Sequence, residues 1–268
     1  MSGDLSNDAA GGRSRDTLAQ GGAVRLVVLT GAGASADSGL ATFRGGGGLW
    51  EGQRMEDVAT PMAWARDPQL VWRFYQARRA ALLDAEPNPC HRALHQLETA
   101  LVAAGHGFTL ITQNVDDLHQ RAGSTVLPMH GRLTHLLCES CRDAGSLPAA
   151  DARHRDMEHL EPEVFLPCPR CGHSPLRPDI VWFHELPYHL DEIAEVMERA
   201  THFLSVGTSG AVYPAAGLLA EARARGAQTF VNSLDEPENL HPDDVFLPGR
   251  AAEVVPEWVT RFLAARRG

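Results

Sequence analysis

The feature that most limits the fold lies at residues 24–39, where VRLVVLT, an apolar run of strand length, passes straight into GAGASADSG. A strand without polar alternation is buried on both faces, as central parallel strands are. The small residues after it turn the chain into a helix, which makes the first unit of a doubly wound sheet. GAGASA satisfies G-x-G-x-x-G/A through Gly31, Gly33 and Ala36. Such residues let backbone approach a pyrophosphate, whose charge a helix start favours; a plain strand–helix turn reads the same way. A dehydrogenase-type site also needs an acidic residue about 20 positions on. Glu51 has that spacing but follows GGGGLW in a loop, so a nucleotide is expected to be held differently.

Further strand-like runs occur at 108–112, 126–131, 180–183, 202–207 and 228–232, with helical patterns among them. Strands alternating with helices imply an α/β fold. Two stretches interrupt it. GGGG at 45–48 reads as a mobile loop, followed by a helix from Pro68 with Asp67 as cap and another over 89–105 ending at Gly105. Residues 133–178 hold cysteines and many prolines with little periodicity, and read as an insertion organised by something other than a core. A last helix is expected over 256–267. The predicted architecture is a Rossmann-like parallel-sheet lobe (about 23–44, 91–131 and 179–268). A smaller lobe joins a helical insertion (45–90) to a zinc-binding insertion (132–178), after a flexible tail at 1–22.

Composition narrows the function. The 268 residues carry 24 Lys+Arg against 34 Asp+Glu, a net charge of −10. General nucleic-acid binding needs a cationic surface, so no nucleic-acid partner is expected. Residues 1–22 contain Asp4, Asp8 and Asp16 and no apolar signal region. The longest stretch free of Asp, Glu, Lys and Arg, 200–220, is broken by GTSG and Pro214. No membrane association and a cytoplasmic location are therefore expected.

Four of the five cysteines form two C-x-x-C pairs, Cys138/Cys141 and Cys168/Cys171. Four thiolates suit tetrahedral zinc and leave no open position for water, so one structural zinc is expected. Redox thiols are the alternative. Cys90 lies outside the set and reads as a packed helix residue. His130, one of 13 histidines, follows a short strand, where α/β sites lie. Asn114 and Asp116 follow the preceding strand at the same edge, as ribose or water ligands or as helix caps.

Together the segments GAGASADSGLATFR (31–44), TQNVDDLH (112–119), HG (130–131), both C-x-x-C pairs, PDIVWFHE (178–185), GTS (207–209) and Asn232 resemble the sirtuins, NAD-dependent protein-lysine deacylases. Residues 59–79, ATPMAWARDPQLVWRFYQARR, resemble the class III, desuccinylase-type branch. The resemblance implies NAD as a consumed co-substrate, bound between the lobes. Gly31, Ala32, Gly33, Ala34 and Ser35 would wrap the pyrophosphate. Phe43, Arg44 and Trp50 would belong to the cofactor loop and its surroundings. Gln113, Asn114, Val115 and Asp116 would orient ribose and nicotinamide. Gly207, Thr208, Ser209, Asn232, Ser233, Leu234 and Ala251 would hold the adenosine side. His130 would be the catalytic base, assisted by Asn114 and Asp116, with nicotinamide and O-acyl-ADP-ribose as products.

Acylated protein would bind as an extended strand along Val181, Trp182 and Phe183. On their own Tyr75 and Arg78 read as a packed and a solvated residue of one amphipathic helix; the class III resemblance implies a Y-x-x-R pattern that would grip an acyl carboxylate, with Ala59 leaving room for a longer chain. This implies succinyl, with malonyl and glutaryl, over acetyl. Two positions depart from the family: His184 stands where glycine is usual, and Leu234 where an acidic residue is. Acetyl preference and ADP-ribosyl transfer at the same site are the alternatives. A dehydrogenase explains only GAGASA and the α/β alternation; a zinc-ribbon scaffold explains only the cysteines.

Overall fold

A computed structural model of the chain describes residues 22–41, 49–50, 53–143 and 152–266. All but the last residue of the tail expected at 1–22, the glycines at 45–48, and Phe43 and Arg44 lie outside them, as does the Trp50 side chain.

In chain order, β1 (Arg25–Thr30) leads through two 3-10 turns to a short hairpin, β2 (Leu49–Trp50) and β3 (Gln53–Arg54). Helices α1 (Met55–Val58), α2 (Pro61–Arg66), α3 (Pro68–Asp84) and α4 (Pro89–Ala103) follow. Then come β4 (Gly107–Thr112), α5 (Leu118–Arg121), β5 (Val126–Pro128), β6 (Gly131–Leu137), α6 (Glu139–Asp143), β7 (Arg153–Arg155) and β8 (Arg177–Ile180). The chain finishes with α7 (Leu190–Glu198), β9 (His202–Val206), α8 (Ala215–Ala224), β10 (Gln228–Ser233), β11 (Val245–Pro248) and α9 (Ala251–Ala264).

Six strands form one parallel sheet in the order β11-β10-β9-β1-β4-β5. The unbroken apolarity of β1 is explained by its two faces. Leu26 and Val28 pack with α4 and α9, and Val27 and Leu29 with α7 and α8. From β1 the chain moves outward to β4 and β5, then returns to β9 on the other side. The carboxyl ends beside β1 are therefore the topological switch point, where ligands bind in such sheets. The register sets Asn232, Val206, Thr30, Thr112 and Pro128 in one row. The residues that follow that row form the floor of the site.

Within the helical insertion α3 starts as expected, although α1 and α2 precede it. The Asp67 side chain accepts from the Leu70 N–H at 3.0 Å, with Pro68 in the first turn. Beyond α4, Gly105 takes the left-handed conformation, φ +75°.

Three expectations need correction. Residues 180–183 are not a strand of the main sheet. The strand is β8, three residues earlier, and it joins the three-stranded antiparallel sheet β7-β6-β8. The apolarity of IVWF comes from packing under the helical insertion, where Trp182 is buried against Trp64 and Tyr75. Secondly, the cysteine region does share an apolar core. Leu136, Cys138, Cys168 and Leu176 belong to one cluster with Trp64, Trp72 and Tyr75. Thirdly, α9 begins at Ala251 and carries Pro256 inside it. Burial of Val255, Trp258, Val259 and Phe262 along one face holds the helix through the proline.

Candidate active site

The carboxyl edge of the sheet and the smaller lobe enclose a cleft of about 980 Å³. Its floor is backbone packed on backbone. The Gly31 N–H donates to Val206 O at 2.9 Å, Gly33 N–H to Gly207 O at 2.8 Å, and Gly207 N–H to Asn232 O at 2.8 Å. A Cβ on Gly33 would lie 2.7 Å from the Gly207 Cα, so glycine is required for this approach. The turn thus serves two ends: it locks β1 against β9 and exposes small residues to the cleft.

Gly31, Ala32, Gly33 and Ser35 line the cleft. Ala34 does not: it is fully buried in the core beneath, with its carbonyl accepting from Asn88 Nδ2 at 2.8 Å. Its side chain supports the turn from below. Gln113, Asn114, Val115, Asp116, Gly207, Thr208, Ser209, Asn232, Ser233, Leu234 and Ala251 all line the cleft. Asn232 Nδ2 donates to Leu247 O at 2.8 Å and Gly249 O at 3.1 Å, which ties β10 to the loop before α9. Leu234 is largely exposed at the rim.

Beneath the floor runs a polar network that determines its own proton positions. The Asn88 N–H donates to His91 Nδ1 at 3.2 Å, so that nitrogen is unprotonated and Nε2 carries the hydrogen. His91 Nε2–H then donates to Ser35 Oγ at 3.3 Å, and Asn114 Nδ2 donates to the same oxygen at 3.1 Å. With both acceptor positions taken, the Ser35 hydroxyl donates to Asp116 Oδ2 at 2.9 Å. Asp116 Oδ1 also accepts the Leu118 N–H at 3.1 Å, so it caps α5 as well. A second chain runs from His119 Nε2 to Thr30 Oγ1 at 3.1 Å and on to Thr112 Oγ1 at 2.8 Å. Burial raises the Asp116 pKa and lowers that of His119. It holds His91 down at about 4. His91, His119, Thr30 and Thr112 escaped the sequence reading, since nothing local in the sequence joins His91 to Ser35.

His130 lies above this network at the mouth of β5. Its Nδ1 sits 3.1 Å from Gln113 O; a carbonyl only accepts, so Nδ1 carries the proton and Nε2 keeps its lone pair. Burial lowers its pKa below 6.5. The next residue, Gly131, has φ +85°, and a Cβ there would lie 2.0 Å from Asp179 O. That contact seats β6 against β8 directly behind the imidazole.

The other wall comes from the smaller lobe and from the segment that follows β8. Ala59, Tyr75, Arg78, Val181, Trp182 and Phe183 line the same cleft as His130. Tyr75 is fully buried and its hydroxyl accepts from Trp182 Nε1 at 3.0 Å. Arg78 is 6% exposed, donates to Phe74 O at 2.9 Å, and stacks 3.3 Å above the Phe74 ring. A solvated surface arginine is thereby excluded. Phe183 N–H donates to Ala59 O at 3.0 Å, and Val181 N–H to His130 O at 2.9 Å. These bonds tie the segment to both lobes.

The four C-x-x-C sulfurs lie within 4.8 Å of one another. Cys138 Sγ is 3.6 Å from Cys171 Sγ, and Cys141 Sγ is 3.9 Å from Cys168 Sγ. Bonds of about 2.3 Å at a tetrahedral zinc give sulfur separations of about 3.8 Å. The donor set fits one structural zinc. His154 Nε2 lies 3.4 Å from Cys168 Sγ, placed to polarise that thiolate. Cys90 is separate, fully buried in α4.

Known proteins share this arrangement. The Sir2 family model matches residues 31–214. An NAD-dependent protein deacylase from Caulobacter vibrioides is 46% identical over 245 residues, covering 91% of this chain and 98% of that protein. One from Bdellovibrio bacteriovorus is 47% identical over 242 residues, covering 89% and 96%. A solved Sir2 homologue in complex with NAD superposes with a TM-score of 0.78 at 38% identity, covering 91% of each chain. Sir2Af2 bound to a myristoylated histone peptide gives 0.67 at 30% identity, covering 90% of this chain and 91% of that one. The chain belongs to the Sir2 family, the sirtuins.

Proposed function

We propose that this sirtuin is an NAD-dependent protein-lysine deacylase that prefers acyl groups ending in a carboxylate, succinyl first, then malonyl and glutaryl. The observation that carries the preference is a buried guanidinium, Arg78, lining the same cleft as His130. Tyr75 and the small Ala59 belong to the lining of that cleft too. Arginine offers a planar fork of donors suited to a carboxylate. Acetyl has no such group, and gains nothing from it. Deacylation itself is supported by the relatives, which bear the name NAD-dependent protein deacylase.

NAD supplies the ADP-ribosyl acceptor for the acyl group and is consumed. The chain's own part is to bind, orient and move a proton. Gly31, Ala32, Gly33 and Ser35 present a small-residue surface to the pyrophosphate. Gln113, Asn114 and Asp116 orient the ribose and nicotinamide, with Asn114 and Asp116 held by Ser35. His130 Nε2, unprotonated at neutral pH, takes a ribose hydroxyl proton. The adenosine side is held from Gly207 to Ser209, at Asn232 to Leu234 and at Ala251. The acylated protein lies as an extended strand along Val181–Phe183. The carbonyls of Val181 and Phe183 accept no hydrogen bond among the described residues, so they are open to a partner strand. One zinc held by the four cysteines stiffens the smaller lobe, which we read as residues 45–90 and 132–178.

Among the described residues no helix is long and apolar enough to cross a membrane, and we place the enzyme in the cytoplasm, with no nucleic-acid partner. The test is Arg78→Met against succinyl- and acetyl-lysine peptides. A charge-assisted hydrogen bond contributes about 1.5–3 kcal/mol. Desuccinylation kcat/KM should fall roughly 10- to 150-fold, with deacetylation little changed. A parallel fall in both would reduce Arg78 to a structural residue.

A further inference from the structure

The turn at Trp182–Glu185 carries a histidine where the backbone conformation favours glycine. His184 has φ +74°. Its flanks are fixed. The Glu185 N–H donates to Trp182 O at 3.0 Å, and Phe183 N–H to Ala59 O at 3.0 Å. The Glu185 carboxylate accepts the Trp182 N–H at 2.9 Å and Arg177 NH2 at 2.8 Å. The Arg177 side chain is 1% exposed and stacks over Trp182, so the anchor is itself rigid. Rotating His184 to negative φ would break this set. Histidine is among the residues that tolerate the left-handed region, yet glycine would sit there without strain. Strain of this kind collects at functional positions.

The imidazole is placed to act. His184 is exposed, lines the cleft, and has no hydrogen-bond or ion-pair partner among the described residues. The adjacent carboxylate, Glu185, is already held by Arg177, with Arg142 at 3.8 Å. Phe183 and Tyr213, 40% and 75% exposed, line the same cleft and offer apolar surface.

We propose that His184 reads the substrate side chain next to the acyl-lysine, favouring Asp or Glu over Lys or Arg. The inference rests on the reading that acylated protein occupies this cleft. An imidazole keeps at least one N–H in every protonation state, so it always has a donor for a carboxylate. Lysine and arginine bring only donors and find an acceptor only in the neutral ring.

The experiment compares His184→Gly with the natural enzyme. The substrates are two acyl-lysine peptide series, with Asp/Glu or with Lys/Arg beside the modified lysine, and acyl-lysine amide with no neighbours. Glycine suits φ +74°, so the fold is kept, which a thermal melt verifies. The natural enzyme should favour the acidic series in kcat/KM by roughly three- to tenfold. In His184→Gly that ratio should fall to about one, with turnover of acyl-lysine amide and KM for NAD unchanged. No preference in the natural enzyme, or an unchanged ratio in the variant, overturns the inference and leaves the deacylase reading standing. Equal losses on the amide and the peptides also overturn it. Absence of deacylation on every substrate overturns both.

Discussion

His130 donates its Nδ1–H to the carbonyl oxygen of Gln113 at 3.1 Å, and this one bond decides which nitrogen can accept a proton. Gln113 directly follows β4, and its own N–H is held by Thr30 O at 2.9 Å. The proposed base is thus oriented by the central strands of the sheet.

The first prediction concerns that base. His130→Ala should lower kcat by about 10²–10⁴-fold, the range of general-base catalysis, with the melting temperature nearly unchanged. Because burial lowers the His130 pKa, the ring is already neutral at neutral pH. The acid limb of kcat/KM against pH should therefore lie below 6.5. An acid limb above neutrality would contradict the assignment.

The second concerns the network under the floor. The folded state binds a proton at His91 only near pH 4, and the ordinary value is 6.5. The unfolded chain protonates first as pH falls. Stability from this residue is whole above 6.5, is lost between 6.5 and 4, and amounts to about 3 kcal/mol. His119, also lowered, acts in the same direction; Asp116, raised from 3.8, acts in the opposite one. His91→Gln keeps an acceptor and a donor but cannot titrate. Urea midpoints should fall more steeply in the natural protein than in the variant between pH 7 and pH 4. Parallel curves would remove His91 from the account.

Sequence and structure agree where the signal is local. The apolar run of β1, the Asp67 cap and the two cysteine pairs each announce themselves within a few residues. What was hidden depends on chain segments far apart. Ser35 and His91 meet because Asn88 caps α4 against the turn after β1. Trp182 looked like a strand residue because burial, whichever surface provides it, selects the same apolar side chains. Pro256 suggested a helix start, since the packing that carries α9 through it comes from the sheet face. His184 stood out in the sequence as an unusual residue; only its backbone angle shows what it costs to keep it there.

The third prediction concerns the metal. Cys138, Cys141 and Cys168 are buried in the core that also contains Trp182 and Tyr75. Protein purified without chelator should contain one zinc per chain. Cys138→Ser should lose it and lose on the order of 3 kcal/mol or more of stability. Activity should fall with it, since the same core forms the proposed acyl end of the cleft. Zinc-free protein of unaltered melting temperature would contradict a structural role.

The central claim is that NAD is consumed at His130 to take up an acyl group from lysine. The most direct measurement is mass spectrometry of the products after incubation with NAD and a succinyl-lysine peptide. The expected products are free lysine peptide, nicotinamide and O-succinyl-ADP-ribose in equal amounts, with deacylated peptide formed about 10²–10⁴-fold more slowly by His130→Ala. Free succinate without nicotinamide release, or accumulation of NADH, would contradict it.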